Sequence, residues 1–142
     1  MNTKFFMTAL IGVAVIFGAN SSAQNDAPVP GKKFVRRNEI AKAPEKYRAM
    51  ANPFEHDSTA PAAGKFLYDQ HCEECHGKTA DGTRRAPSLL RDRVQTAPSG
   101  SVFWLITNGV VWHGMPVWSK LPEPERWQIV SYIKSLGSSP GK

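Results

Sequence analysis

The chain is poor in thiols. It has two cysteines in 142 residues, Cys72 and Cys75, which excludes a framework of several disulfides. It has no alternating strand pattern of useful length and no internal repeat. Its longest mostly apolar run, Phe5 to Phe17, is shorter than the about 20 residues that cross a bilayer comfortably. Methionine is scarce: beyond Met1 and Met7 there are only Met50 and Met115. The formal charge is +6, yet no dense basic run accompanies it. A nucleic-acid role therefore has little support, and a basic face meeting an acidic protein partner suits the charge better.

Both thiols fall in Cys72-Glu73-Glu74-Cys75-His76. The spacing C-x-x-C-H is the attachment signal for a c-type haem. Each thiol adds across one porphyrin vinyl group, and the two intervening residues let the chain turn once between them. His76 then lies under the iron and can supply its imidazole. Two other chemistries use part of the motif. A redox dithiol calls for a βαβ context, which is not visible, and has no use for the trailing His. A zinc site could join Cys72 and Cys75 with His76 or His113, but His71, His76 and His113 do not form the usual second spaced pair.

The N-terminus reads as an address. Lys4 precedes the apolar run, and Ser21 and Ala23 put small residues where a signal peptidase reads. Residues 1–23 are expected to be a cleaved secretory signal, giving a periplasmic protein that is soluble after cleavage. Only a retained signal would attach it to the membrane. Residues 24–61 carry five prolines and few large apolar residues. They predict an extended arm with one short helix over 45–51, serving as a solvated linker, a partner-docking tail or a segment partly packed on the haem-binding part.

Residues 62–137 predict a single small domain, with a flexible tail over 138–142. Helices are expected over 62–70, with Ala63, Phe66 and Leu67 on one stripe, and over 101–108, with Val102, Leu105 and Ile106. Gly109 stands where a left-handed cap would end the second of these. The strongest pattern is 123–136. Ile129, Tyr132, Ile133 and Leu136 share a face, acidic residues open it, and Lys134 and Gly137 close it. Gly77, Gly82, Pro87 and Pro98 mark 76–96 and its margin as loop. A domain this short buries too little surface to be secure alone. A covalently held porphyrin would give Trp104, Trp112, Trp118 and Trp127 a core to line.

An iron with His76 on one side needs a second ligand or stays open. Met115 is held between Gly114 and Pro116 on a stiff segment. Its soft thioether would raise the potential relative to two imidazoles. His113, two residues away, is the rival.

The stretch 64–136 resembles class I cytochrome c. Gly64-x-x-x-Tyr68-x-x-x-Cys72 is similar to the family's N-terminal helix, and Tyr132 to its aromatic partner in the last helix. Ala86-Pro87-Ser88-Leu89 resembles the G-P-x-L segment, with Ala where Gly is common. Gly109 and then Met115-Pro116-x-Trp118 resemble the distal ligand loop. The resemblance implies an all-α fold of short helices around one covalent haem c, with thioethers from Cys72 and Cys75. It implies His76 and Met115 as axial ligands, with the Pro87 carbonyl accepting a hydrogen bond from His76. The expected function is single-electron transfer without enzymatic chemistry, as acceptor or subunit for a periplasmic dehydrogenase or donor to a terminal oxidase. The alternative is a haem protein that binds a gas or peroxide at an opened sixth site. Lys65, Lys78, Arg84, Arg85 and Lys120 would either ring an exposed haem edge and steer an acidic partner or be ordinary solvated charges.

Overall fold

Gly64 is the point on which the fold turns. A Cβ there would lie 1.9 Å from the backbone oxygen of Gln128, so two helices cross with their backbones in contact. The computed structural model describes residues 38–137; the expected signal 1–23, the stretch 24–37 of the arm and the tail 138–142 lie outside the described residues. In chain order come a 3-10 turn (Glu39–Lys42), α1 (Glu45–Arg48), α2 (Ala60–His71), α3 (Glu73–His76), α4 (Asp92–Gln95), α5 (Ser99–Asn108), a 3-10 turn (Val111–His113) and α6 (Glu123–Ser135). Among the described residues no strand forms, only an isolated antiparallel bridge between Val110 and Met115. The fold is all-α, as the resemblance to class I cytochrome c implies.

α2 and α6 both tolerate proline because it falls in their first turn, where the missing N–H has no intrahelical partner. α2 presents Ala60, Gly64 and Tyr68 to the interior. Tyr68 is fully buried, its ring 5.1 Å from that of Tyr132 on α6. This line differs from the stripe expected from the sequence. Phe66 is 64% exposed, because close docking on Gly64 fixes the inward face and two residues of helical advance put Phe66 on the other side. α6 buries Trp127, Ile129, Val130, Tyr132 and Ile133. α5 packs against it with Phe103 stacked on Trp127 at 4.1 Å between centroids.

The segment 38–61, expected as an arm with one short helix over 45–51 and with partial packing among its readings, is packed where it is described, and α1 falls within that helix range. Ile40 and Ala43 are buried, and α1 lies on α5, where Gly100 leaves room for the Tyr47 carbonyl. The buried Asn52 amide donates to Ser131 Oγ on α6 at 2.8 Å. The boundary expected at residue 62 thus falls inside the first turn of α2. Proline here opens short turns, as Pro44 does before α1. Trp127 alone of the four tryptophans is fully buried; Trp104 and Trp118 are half-buried, and Trp112 is 68% exposed.

Candidate functional site

α2 ends because Cys72 leaves helical geometry, with φ −123°. The chain then re-enters a single helical turn, α3. The Cys72 carbonyl accepts the N–H groups of Cys75 and His76 at 3.1 and 2.9 Å. Three-residue spacing on one turn puts both thiols on neighbouring positions of one face. They are not joined to each other. Burial pushes the Cys72 thiol up to about 12, with Cys75 adding to the shift. Cys72 therefore carries its proton at neutral pH in the metal-free chain, a state that suits S–H addition across a double bond. Among the described residues no cluster of three or more His, Cys, Asp or Glu is placed to hold a metal ion.

The loop after α3 folds back over it. Gly82 N–H donates to the His76 carbonyl at 2.8 Å, Thr83 N–H to Ala86 O at 2.8 Å, and Leu89 N–H to Ala80 O at 2.8 Å. Thr83 Oγ1 donates to the Cys75 carbonyl at 2.6 Å. Gly82, at φ +88°, brings its backbone so near Ser88 N that a Cβ would sit 2.4 Å away. An exposed ion pair, Glu74 to Arg85 at 2.5 Å, closes the outside. The product of these ties is a short contact: His76 Nδ1 lies 2.9 Å from the Pro87 carbonyl. A carbonyl only accepts, so Nδ1 carries the proton and Nε2 presents its lone pair. Burial holds the His76 imidazole below its ordinary range, opposed by the Pro87 bond. It is neutral at neutral pH, as a metal ligand must be.

Met115 stands on a separate loop. Val110 and Met115 exchange backbone hydrogen bonds at 3.0 and 3.2 Å, and the left-handed Gly114 makes the turn between them. Gly109 also has positive φ, but with ψ near 180° it is no left-handed cap. It is glycine because a Cβ would lie 2.4 Å from the Pro116 carbonyl. Met115 is half-buried against the core formed by α5 and α6, whereas His113 is exposed. The loop reaches the thiol-bearing turn through Trp118, whose ring is 5.1 Å from that of His71, the residue before Cys72. The structure thus joins Cys72, Cys75, His76 and Pro87 directly, and Met115 is linked to them only through this aromatic contact and the shared core.

Together the groups can take a covalently attached porphyrin iron: two unjoined thiols on one turn, a neutral imidazole with Nε2 uncommitted, and a thioether on a braced loop. Of the cations expected around such a group, Lys65 is paired with Asp69 at 2.7 Å and Arg85 with Glu74. α3 is the single turn that the C-x-x-C-H spacing calls for, whereas α4 forms within the stretch 76–96 expected as loop, four residues being too few to show a period.

The family described as cytochrome C oxidase, cbb3-type, subunit III matches residues 59–133. The cbb3-type cytochrome c oxidase subunit CcoP of Azospirillum brasilense is 30% identical over 111 residues, covering 72% of this chain and 37% of that protein. The CcoP subunit of Azospirillum sp. (strain B510) is 33% identical over 93 residues, covering 57% of this chain and 30% of that protein. The chain thus spans about a third of the length of these curated relatives. Among solved structures, cytochrome CL from the marine methylotroph Methylophaga aminisulfidivorans MPT is similar, with a TM-score of 0.51 at 24% identity over 58% of this chain and 57% of that one. At that identity the likeness concerns the fold alone.

Proposed function

Because the chain belongs to the family described as cytochrome C oxidase, cbb3-type, subunit III, and has the fold of a c-type cytochrome, we propose that it carries single electrons through one covalent haem c and catalyses no reaction of its own. Cys72 and Cys75 form the two thioethers, His76 Nε2 is the proximal ligand and Met115 the distal one. A single C-x-x-C-H in these 142 residues supports one haem in this stretch. When bound, the haem iron supplies the one-electron couple.

The observation that carries the reading is the 2.9 Å contact between His76 Nδ1 and the Pro87 carbonyl. It fixes the tautomer, orients the ring and strengthens Nε2 as a donor. The partly buried position of Met115, against the exposed one of His113, supports the thioether as sixth ligand. A soft sulfur favours the ferrous state and raises the potential over a bis-imidazole pair. The backbone ties on both ligand loops resist ligand movement when the charge changes. The redox partner is a terminal oxidase or a dehydrogenase, and the protein works in the periplasm after loss of residues 1–23. The CcoP relatives are oxidase subunits, which favours the oxidase.

The test is production in a host that matures c-type cytochromes, acid–acetone extraction, and spectra of both oxidation states. One unextractable haem per chain, with a low-spin reduced spectrum that carbon monoxide does not alter at neutral pH, is expected. A colourless product would overturn the attachment. Ready carbon monoxide binding would overturn the closed sixth site.

A further inference from the structure

Arg126 is an anomaly on α6. It is only 9% exposed, and none of the ion pairs among the described residues includes it. With no carboxylate in direct contact, a largely buried cation gives up hydration for little Coulombic return, although Glu123 lines the same cleft. Its value must lie in where its hydrogen bonds go. Nε donates to the Leu121 carbonyl at 3.1 Å, and Nη1 donates to Thr107 Oγ1 at 2.5 Å. Thr107 Oγ1 spends its own proton on the Phe103 carbonyl at 2.8 Å, so it faces Arg126 purely as an acceptor. The Phe103 ring supports the guanidinium at 4.8 Å.

The two acceptors have a telling position in the chain. Thr107 lies in the last turn of α5, immediately before the segment 108–120. Leu121 comes immediately after that segment, and within it stands Met115. Higher up, the loop is closed by the Val110–Met115 bridge and by Trp118 N–H donating to Ile106 O at 3.2 Å. At its base Arg126 hydrogen-bonds to both feet. Arg126 also lines an open cleft of about 500 Å³ with Lys46, Tyr47, Ser119 and Glu123, so an apolar replacement would face solvent there and would not restore the link.

We propose that Arg126 is a positioning residue: its planar fork clasps both feet of the 108–120 loop and thereby holds the Met115 thioether in register with the iron. The inference rests on Met115 as distal ligand, but the clasp itself does not. Lysine cannot reproduce it, because one ammonium lacks the fixed divergent donors.

The experiment uses the mature holoprotein with Arg126→Met, which keeps volume and loses both bonds, and Arg126→Lys. Thr107→Val removes one foot with little change of shape, and serves if the Arg126 variants fold poorly. Two quantities are read: the far-red sulfur-to-iron band of the ferric state during alkaline titration, and amide hydrogen exchange over 109–120. Loss of charge-assisted bonds should lower the midpoint for loss of the band by about one pH unit or more. Exchange over 109–120 should rise about tenfold while the centre of α6 is unchanged. The Arg126→Lys variant should restore neither quantity. A band midpoint and loop exchange unaltered in the variants, or exchange raised uniformly along the chain, would overturn the clasp. A wild-type protein without the band would overturn Met115 ligation instead, and exchange would still decide the clasp.

Discussion

Replacing Gly64 by alanine isolates the contact that sets the whole site. The new methyl would stand 1.9 Å from Gln128 O, 2.5 Å from Gln128 C and 3.0 Å from Tyr132 Cβ. The nearest atoms are backbone, so no side chain can swing aside. To restore an ordinary contact, α2 and α6 must part by about 1.5 Å at the crossing. Alanine favours the helical backbone by about 1 kcal/mol. Against that stand overpacking, about 1–3 kcal/mol or more, and weakening of the Tyr68–Tyr132 ring pair, about 0.5–1.5 kcal/mol. The backbone clash leaves the upper end of these ranges, so the net loss is about 3.5 kcal/mol, or roughly 15 °C or more in Tm for a domain of this size. Urea and thermal unfolding of the holoprotein, monitored by haem absorbance and far-UV circular dichroism, measure it. Gly114→Ala is the control with opposite physics: nothing lies within 4 Å, but φ is +85°, so it carries only local backbone strain of about 1–2 kcal/mol. A Gly64→Ala protein within about 0.5 kcal/mol of wild type would refute the backbone contact.

Met115→Ala should open the sixth position, abolish the far-red band and lower the potential, whereas His113→Ala should change neither; the reverse result in redox titration would move the ligand to His113. Cys75→Ser should leave one thioether or none, seen as a shifted alkaline pyridine haemochrome band, and a normal two-thioether spectrum would remove Cys75 from the attachment. Tyr68→Phe deletes the donation from Tyr68 Oη to the Gly77 carbonyl at 2.6 Å and should cost about 1 kcal/mol. Burial raises the Tyr68 ionisation above its ordinary range. The stability from its neutral form is therefore complete below about pH 10 and is lost as pH climbs through the folded value. Alkaline unfolding curves of wild type and Tyr68→Phe should accordingly converge at high pH, and parallel curves would contradict the assignment.

The range of each interaction decides whether the sequence revealed it or hid it. The C-x-x-C-H run is legible because covalent chemistry demands fixed spacing within five residues. α6 is legible because one long helix shows its period several times and ends in charges that suit its dipole. Phe66 misleads because hydropathy alone does not know which face a glycine has opened to a neighbouring backbone. Gly109 reads as a cap because a positive φ and a close approach to Pro116 select the same residue. Asn52 and Arg126 leave no local mark at all. Their partners lie far along the chain or on either side of a thirteen-residue loop, and only folding brings them together.

The docking of the stretch before α2 bears on how this chain can be divided. Tyr47 fills the notch left by Gly100, Asn52 reaches Ser131, and Ile40 sits within the main core, while Glu55 to Ser58 between them and α2 are exposed. A protease nick in that exposed turn would leave the front piece seated by its own contacts. A graft of the haem-bearing part onto another protein would need to start near Asn38, since trimming to Ala62 would strip one flank of α5 and α6 bare.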